Sequence, residues 1–190
     1  MHIHRVANNA RLISQTEDAD QFIVQLAVLL HDIADSKFNN GDEEIGPRKA
    51  AEFLGSMRVD DDVVEHVQQI IRNISFRSGL DQLHFHSKEL EIVQDADRLD
   101  AIGAIGIARA FTYGGYKNRE IYNPEIPPAL NMSKEEYKNS VSPSINHFYE
   151  KLLLLKDKMN TNTGRKIAEE RHRFMEMYLK QFENEWNGQG

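Results

Sequence analysis

One short stretch, residues 29–35 (LLHDIAD), places the strongest constraint on this chain. It closes a run of apolar residues, 22–30, that only Gln25 interrupts, and a helix with so apolar a sequence is normally buried. A buried helix that ends in His31 and Asp32 needs partners for both groups, because an unpaired charge in a protein core costs several kcal/mol. A divalent cation is one such partner. The alternative is a helix end with a capping histidine and a solvated aspartate.

Two other motifs lie upstream and downstream of the His-Asp pair. Residues 2–6 (HIHRV) open a helical pattern that places His2 on the inward face, and residues 95–100 (DADRLD) lie within a second apolar helical segment. A histidine, a His-Asp pair and a later aspartate, in this order, resemble the HD-domain superfamily of metal-dependent phosphohydrolases. The stretches HIxRV, LLHDIAD and DADRLDAIGAIGIAR are similar to the small bacterial HD proteins of the YpgQ-like subgroup. Residues 147–152 and 171–172 fit that subgroup too, so the resemblance covers nearly the whole chain.

The resemblance implies a metal site formed by His2, His31, Asp32 and Asp97. Asp97 is selected from three neighbouring carboxylates because the last aspartate of the superfamily pattern precedes Arg-Leu. Two imidazoles and two carboxylates, in a chain without cysteine, suit Mn, Fe, Co, Ni, Zn or Mg, and we favour manganese. Four protein ligands leave positions for water and for substrate oxygens, as metal-assisted hydrolysis requires.

A second metal ion would need further histidines between the His-Asp pair and the last aspartate. His66, His84 and His86 occupy that interval. His66 falls on the apolar face of a predicted helix and is interpreted as a core histidine. His84 and His86 alternate as residues of an exposed loop do. We therefore expect one metal ion rather than two.

Asp35 is the first candidate catalytic carboxylate. It follows Asp32 by three residues, and many related HD hydrolases carry a carboxylate here that handles the attacking water. Aspartate is one methylene shorter than the glutamate of some relatives, so capping of the helix end is the alternative role. Glu43 and Glu44, on the following loop, are the candidate carboxylates if Asp35 does not handle the water.

Asp100 is the second candidate. It lies three residues after Asp97 on the predicted helix, from which it could orient Asp97 or a water molecule. The alternative is that Asp95 and Asp100 are ordinary charges on the helix surface, with Arg98 as a solvated partner. This alternative is favoured more for Asp95 than for Asp100.

A phosphorylated substrate also needs cations. By resemblance, the candidates for substrate binding are Lys37, Arg77, Lys151 and Arg171. The subgroup implies hydrolysis of a nucleoside triphosphate between its α- and β-phosphates, which gives a monophosphate and pyrophosphate. The alternatives are a nucleotidase or phosphatase, an alarmone hydrolase with a different phosphate product, and a non-enzymatic, metal-stabilised nucleotide sensor.

Composition restricts the partners of the chain. A net charge of −7 argues against a surface that tracks duplex nucleic acid, but it allows a local basic pocket for one small nucleotide. No apolar run approaches the roughly 20 residues of a membrane helix, and no signal peptide is evident, so we expect a cytoplasmic protein. The oligomeric state is left open, with a homodimer among the options. Because a fraying terminus suits a ligand poorly, we expect a further segment before His2.

The 190 residues are predicted to form one all-α HD domain, a helical bundle over residues 1–190. Asp18 and Gln21 are expected to cap the helix that leads to His31. A helix over residues 61–75 is expected to bury Val63, Val67, Ile70 and Ile74. Further helices are expected from Ser87, as the N-terminal cap, past Ala110, over 142–159, and over 163–186 with a stripe of Phe174, Tyr178, Phe182 and Trp186. Residues 115–142 are expected to form an irregular loop or lid, with a short helix capped by Ser133 and Glu136, and residues 143–187 the C-terminal helices.

Overall fold

The all-α prediction is confirmed by the computed structural model, which describes residues 1–34, 39, 42–74, 85–130, 132 and 141–189. The α-helices are α1 (His2–Ser14), α2 (Gln21–Leu30), α3 (Ile45–Ser56), α4 (Asp61–Asn73), α5 (Lys88–Asp100), α6 (Gly103–Tyr116), α7 (Asn146–Glu150) and α8 (Asn162–Trp186). A 3₁₀ helix, Leu152–Lys158, joins the last two. The described part of the chain contains no strand, and none of its helices is long and apolar enough to cross a membrane.

The chain divides into two compact units, Met1–Asp97 and Arg98–Gly190. In the first unit α1 packs on α2, and α4 packs on both α2 and α3. The cap of α2 is Asp20, whose carboxylate accepts hydrogen bonds from the backbone N–H groups of Phe22 at 2.8 Å and Ile23 at 3.2 Å. Asp18, the predicted cap, is two residues too early and is exposed. The prediction of a single domain over residues 1–190 stays a prediction.

Two predicted apolar faces differ from the observed ones. α2 is not buried on all sides, because Phe22 and Leu29 are 55% and 58% exposed, whereas Val24, Ala27 and Val28 on the opposite side lie in the core. In α4 the buried residues are Val64, Val67, Ile70 and Ile71 rather than the predicted set with Val63 and Ile74. The face is rotated slightly about the helix axis, so only its central residues, Val67 and Ile70, were placed correctly.

The predicted cap of α5 is present, since the Ser87 hydroxyl accepts a hydrogen bond from the backbone N–H of Leu90 at 3.1 Å. The single helix predicted from Ser87 past Ala110 is wrong, because α5 ends at Asp100 and α6 begins at Gly103. Gly103 has φ +74°, a left-handed conformation that interrupts the helix and favours glycine. A Cβ on Gly103 would lie 2.9 Å from Cγ of Arg171, so the side chain of Arg171 also requires glycine there.

The predicted loop over residues 115–142 begins later, because Gly115 and Tyr116 belong to α6. Its described part contains no helix but is tied down at several points. The carbonyl of Ile126 accepts from the Asn146 side chain at 2.9 Å, and the backbone N–H of Ala129 donates to Glu150 at 3.2 Å. The lid role stays a prediction, and the short helix expected near residues 133–136 falls outside the described residues.

The C-terminal segments also differ from their predicted form. The helix expected over residues 142–159 is interrupted at Lys151, where φ is −145° and ψ is −55°, between α7 and the 3₁₀ helix. The predicted aromatic stripe of α8 is not its core face: Phe174 and Trp186 are about half exposed. The buried residues of α8 are Gly164, Ala168, Met175 and Leu179.

Candidate metal centre

The four predicted ligands come together in the first unit. His2 is the first residue of α1, His31 directly follows α2, Asp32 follows His31, and Asp97 lies on α5. The side chain of His31 is only 3% exposed, whereas the carboxylates of Asp32 and Asp97 are 61% and 42% exposed. The imidazoles therefore form the protected side of the cluster, and the carboxylates form the side that solvent reaches.

The Nε2 atom of His2 lies close to the ligand atoms of the three other residues. His2 Nε2 lies 3.4 Å from Asp32 Oδ2, 3.4 Å from Asp97 Oδ1 and 3.4 Å from His31 Nε2. His31 Nε2 lies 3.5 Å from Asp32 Oδ2 and 4.0 Å from Asp97 Oδ1. The rings of His2 and His31 meet edge to face at 67°, so their Nε2 atoms converge without stacking of the rings.

These separations fit a metal ion. Ligands about 2.1 Å from a tetrahedral metal lie about 3.4 Å from each other, which is close to most of the observed distances. Nitrogen and oxygen donors without sulfur suit the divalent ions of the first transition series and magnesium. The ligand atoms of His2, His31 and Asp97 all lie within 4.8 Å of one another, whereas Asp32 does not belong to that set.

A second contact orients His31 for this role. Its Nδ1–H donates to the carbonyl of Val28 at 2.8 Å, which is one of the carbonyls left unsatisfied at the end of α2. This hydrogen bond places the proton on Nδ1 and leaves the Nε2 lone pair directed at the cluster, an arrangement common to metal-bound histidines. The capping histidine that the sequence offered as an alternative is therefore present, and capping through Nδ1 leaves Nε2 available for a metal ion.

Asn9 holds α1 against α5 beside the centre. Its side chain is buried and donates to the carbonyl of Ala96 at 3.1 Å, the residue that precedes Asp97. The bond fixes the helix of His2 relative to the helix of Asp97, which a site assembled from distant segments requires. Asn9 carried no signal in the sequence, because an asparagine in a helix is usually exposed.

The HD domain family model matches residues 1–102, a range that contains all four ligand candidates. The chain belongs to the HD domain family. It is 39% identical over 188 residues to the uncharacterized protein YpgQ of Bacillus subtilis strain 168, with 98% of this chain and 83% of the relative aligned.

Solved structures of HD proteins have the same fold. The crystal structure of an HD-superfamily hydrolase from Bacillus thuringiensis is 46% identical, with a TM-score of 0.78 over 99% of this chain and 86% of that chain. The crystal structure of Bacillus subtilis YpgQ in complex with ADP is 36% identical, with a TM-score of 0.74 over 97% of this chain and 87% of that chain.

The two other aspartates of the DADRLD motif are not surface charges. Asp95 is fully buried, and Asp100 is 2% exposed, so the helix-surface interpretation is wrong for both. Asp100 forms a salt bridge with Arg109, whose guanidinium also donates to the Asp100 backbone carbonyl at 3.0 Å. Arg98 is not merely solvated, since it donates to the carbonyl of Lys158 at 2.6 Å. The catalytic role of Asp100 stays a prediction, and the pairing with Arg109 gives it a structural role.

Of the four predicted substrate-binding cations, only Lys151 and Arg171 lie among the described residues. Lys151 is exposed at the break after α7. Arg171 is partly buried on α8 and donates to the carbonyl of Leu99. Burial lowers the pKa of the Arg171 guanidinium, and the negative charge of Asp100 partly offsets this. Asp35, Lys37 and Arg77 lie outside the described residues, so their predicted roles stay predictions.

The remaining candidates have partners of their own. His66 Nε2 lies 3.0 Å from the Ser87 hydroxyl and 3.4 Å from Glu89, and His86 lies 2.9 Å from Glu91. The pKa of the Glu44 carboxyl is lowered because Arg72 donates to it, at 2.7 Å for the shortest contact. His84 lies outside the described residues. Among the described residues, these histidines join no metal cluster.

Proposed function

We propose that this HD protein is a metal-dependent phosphohydrolase that cleaves nucleoside triphosphates to monophosphates and pyrophosphate. The clustering of His2 Nε2, His31 Nε2 and Asp97 Oδ1, with Asp32 Oδ2 3.4 Å from His2 Nε2 and 3.5 Å from His31 Nε2, in an HD domain, is the observation that carries the proposal. One divalent ion, with manganese favoured, would be held by these four atoms. The proposed location is the cytoplasm, where nucleotides are available.

Electrostatics favours a cation at this centre. Asp32 and Asp97 present two exposed carboxylates, which would repel a polyphosphate if nothing neutralised them. A bound divalent ion would supply the compensating charge, polarise a phosphoryl oxygen and activate water. The hydrogen bond to the Val28 carbonyl orients the buried His31 without any contact from the substrate.

The choice of a nucleotide rests on relatives. The resemblance to the YpgQ-like subgroup implies cleavage between the α- and β-phosphates, and YpgQ itself has been crystallised with ADP. Within this proposal Asp35 accepts the proton of the attacking water. Lys37, Arg77, Lys151 and Arg171 are the proposed phosphate contacts.

A nucleotide panel tests the proposal. Nucleoside mono-, di- and triphosphates and a guanosine alarmone would be incubated with Mn²⁺ or Mg²⁺, and pyrophosphate and orthophosphate would be measured separately. We expect pyrophosphate from triphosphates only. Orthophosphate would support a nucleotidase or phosphatase, pyrophosphate from the alarmone would support an alarmone hydrolase, and nucleotide binding without turnover would support a sensor.

A matched pair of variants connects the activity to the centre. Asp97→Asn preserves the shape of the side chain but removes its charge, so turnover and metal content should both fall. Asp18→Asn makes the same chemical change at an exposed residue between α1 and α2, and should retain both. Full activity in Asp97→Asn would contradict the assignment of the centre.

A further inference from the structure

A cavity in the second unit, outside the metal centre, has the composition of a ligand site. Its volume is about 380 Å³, and its walls include Phe111, Ile121, Tyr178 and Phe182, with Gly115 and Arg119 also lining it. Small-molecule sites usually have volumes of about 300–1,000 Å³ and combine apolar walls with a few polar groups. None of the lining residues belongs to the candidate metal centre.

The aromatic walls favour a planar ligand. The rings of Phe111 and Tyr178 meet edge to face, with centroids 6.0 Å apart, and the Phe182 ring lies 6.3 Å from Tyr178. Tyr178 also stacks on the buried Phe148 at 6.1 Å, which restrains its ring. Rings held in this way offer faces and edges to another aromatic ring at low entropic cost.

Two cationic residues, Lys117 and Arg119, follow the C-terminal end of α6. Arg119, which lines the cavity, places its guanidinium carbon 5.8 Å from the centroid of Tyr113. The ammonium of Lys117 lies 5.8 Å from the Tyr113 ring and 5.3 Å from the Tyr116 ring. The backbone N–H of Arg119 donates to the carbonyl of Gly114 at 2.9 Å, so the turn that carries these cations is fixed to the helix.

Negative charges near the cavity would oppose a bound anion. Burial raises the pKa of the Tyr178 hydroxyl, and the negative charge of Glu185, which lies on the same helix, adds to this effect. The partial negative charge at the C-terminus of α6 also opposes an anion, and Lys117 and Arg119 offset it. In a chain of net charge −7, this local pair of cations beside an aromatic cavity is a distinct electrostatic feature.

We propose that the cavity binds a small planar aromatic anion. Its ring would lie among Phe111, Tyr178 and Phe182, and its phosphate, phosphonate or sulfonate group would meet Arg119. The inference does not depend on the proposed hydrolase activity, because it uses only residues of the second unit.

Phenylphosphonate is a suitable probe, because its carbon–phosphorus bond is not a substrate for a phosphohydrolase. Binding would be measured on the full chain after treatment with a chelator, so that no cation at the metal centre attracts the phosphonate. Trp186, the single tryptophan, stacks on Phe182 with centroids 6.3 Å apart, and its fluorescence should therefore change on binding. Benzyl alcohol and methylphosphonate are the matched probes that lack the charge or the ring.

Two variants locate the site. Arg119→Gln should weaken phenylphosphonate binding by about 10-fold, because it removes one charge-assisted contact. Gly115→Leu should weaken or abolish binding, because Gly115 lines the cavity and has open space for a larger side chain. Gly55→Leu is the control, because Gly55 is also helical with open space around it but lies on α3.

The proposal predicts that phenylphosphonate binds the parent and the Gly55→Leu variant, and binds Gly115→Leu and Arg119→Gln more weakly or not at all. Equal binding of benzyl alcohol would overturn it in favour of an apolar cavity, and equal binding of methylphosphonate in favour of a surface charge effect. Absence of phenylphosphonate binding, or unchanged binding in Gly115→Leu, would also overturn it. If Arg119→Gln does not fold, the Gly115→Leu and Gly55→Leu pair decides.

Discussion

Acidification should destabilise the second unit through His147. This imidazole on α7 is mostly buried, and burial, followed by the positive charges of Lys151 and Arg119, lowers its pKa from 6.5 to about 4. Above pH 6.5 the group is neutral in both the folded and the unfolded chain, so its contribution to stability is fully present. As the pH falls from 6.5 towards 4, only the unfolded chain takes up the proton, and the free energy of unfolding decreases.

The size of the effect follows from the shift. A difference of about 2.5 pKa units corresponds to about 3 kcal/mol, lost almost entirely by about pH 4. Urea unfolding would be followed by the fluorescence of Trp186, which lies in the same unit, in the presence of a chelator so that metal release does not contribute. His147→Gln cannot take up this proton, so its unfolding free energy should fall by about 3 kcal/mol less over the same pH range.

Two outcomes would refute this reasoning. Parallel pH profiles for the parent and His147→Gln would show that the imidazole does not titrate differently in the folded and unfolded chains. A histidine resonance of His147 that titrates near pH 6.5 in the folded protein would show the same directly. The control is His4→Gln, which removes an exposed histidine on α1 and should leave the profile unchanged.

Three further predictions concern the metal, the proton acceptor and the packing of α6. Metal at about 1,000 times its dissociation constant should stabilise the folded parent by about 4 kcal/mol. Asp97→Ala should lose the bound metal, the activity and this metal-dependent stabilisation, which thermal unfolding would measure. Metal retained in the variant would contradict the assignment. Asp35→Asn should lower kcat by about 10²–10⁴-fold with metal content unchanged, and a parental rate would place the proton acceptor elsewhere. Gly115→Ala should stabilise by about 0.5–1 kcal/mol through helix propensity. Gly114→Ala should destabilise by about 1–3 kcal/mol, because its Cβ would collide with the Ser144 hydroxyl; equal effects of the two changes in urea unfolding would contradict this packing argument.

The proximity of the four candidate ligands could be predicted because their signal in the sequence is local and ordered. His31 and Asp32 end an apolar helix, and His2 and Asp97 lie on helical segments whose apolar faces turn them inward. Helix packing then brings the two imidazole Nε2 atoms to 3.4 Å from each other and to 3.4–4.0 Å from the carboxylate oxygens of Asp32 and Asp97. That geometry brings the predicted set together, and its metal-binding role stays a proposal.

The burial of Asp95 and Asp100 could not be predicted in the same way. Three carboxylates and an arginine within six residues look like a solvated helix face, and nothing local identifies Arg109 as the partner of Asp100. The break between α5 and α6 also depends on a distant residue. A glycine at position 103 is compatible with close helix packing or with a left-handed turn, and the side chain of Arg171 lies against it only in the folded chain.

Substitutions at the candidate metal centre should have two kinds of effect, depending on the role of the residue. His2 and Asp97 lie on helices, and His31 is oriented by a carbonyl at a helix end, so the ability to hold a cation is a property of the packed helices. Asp35, the predicted acceptor of the proton from water, and Arg77, a predicted phosphate contact, follow α2 and α4 in the sequence. Substitutions of the first group should therefore change metal content and stability together, whereas substitutions of the second should change the rate or the phosphate product at constant metal content. Relatives with the same ligand set could accordingly differ in product, which makes the separate measurement of pyrophosphate and orthophosphate more informative than activity alone.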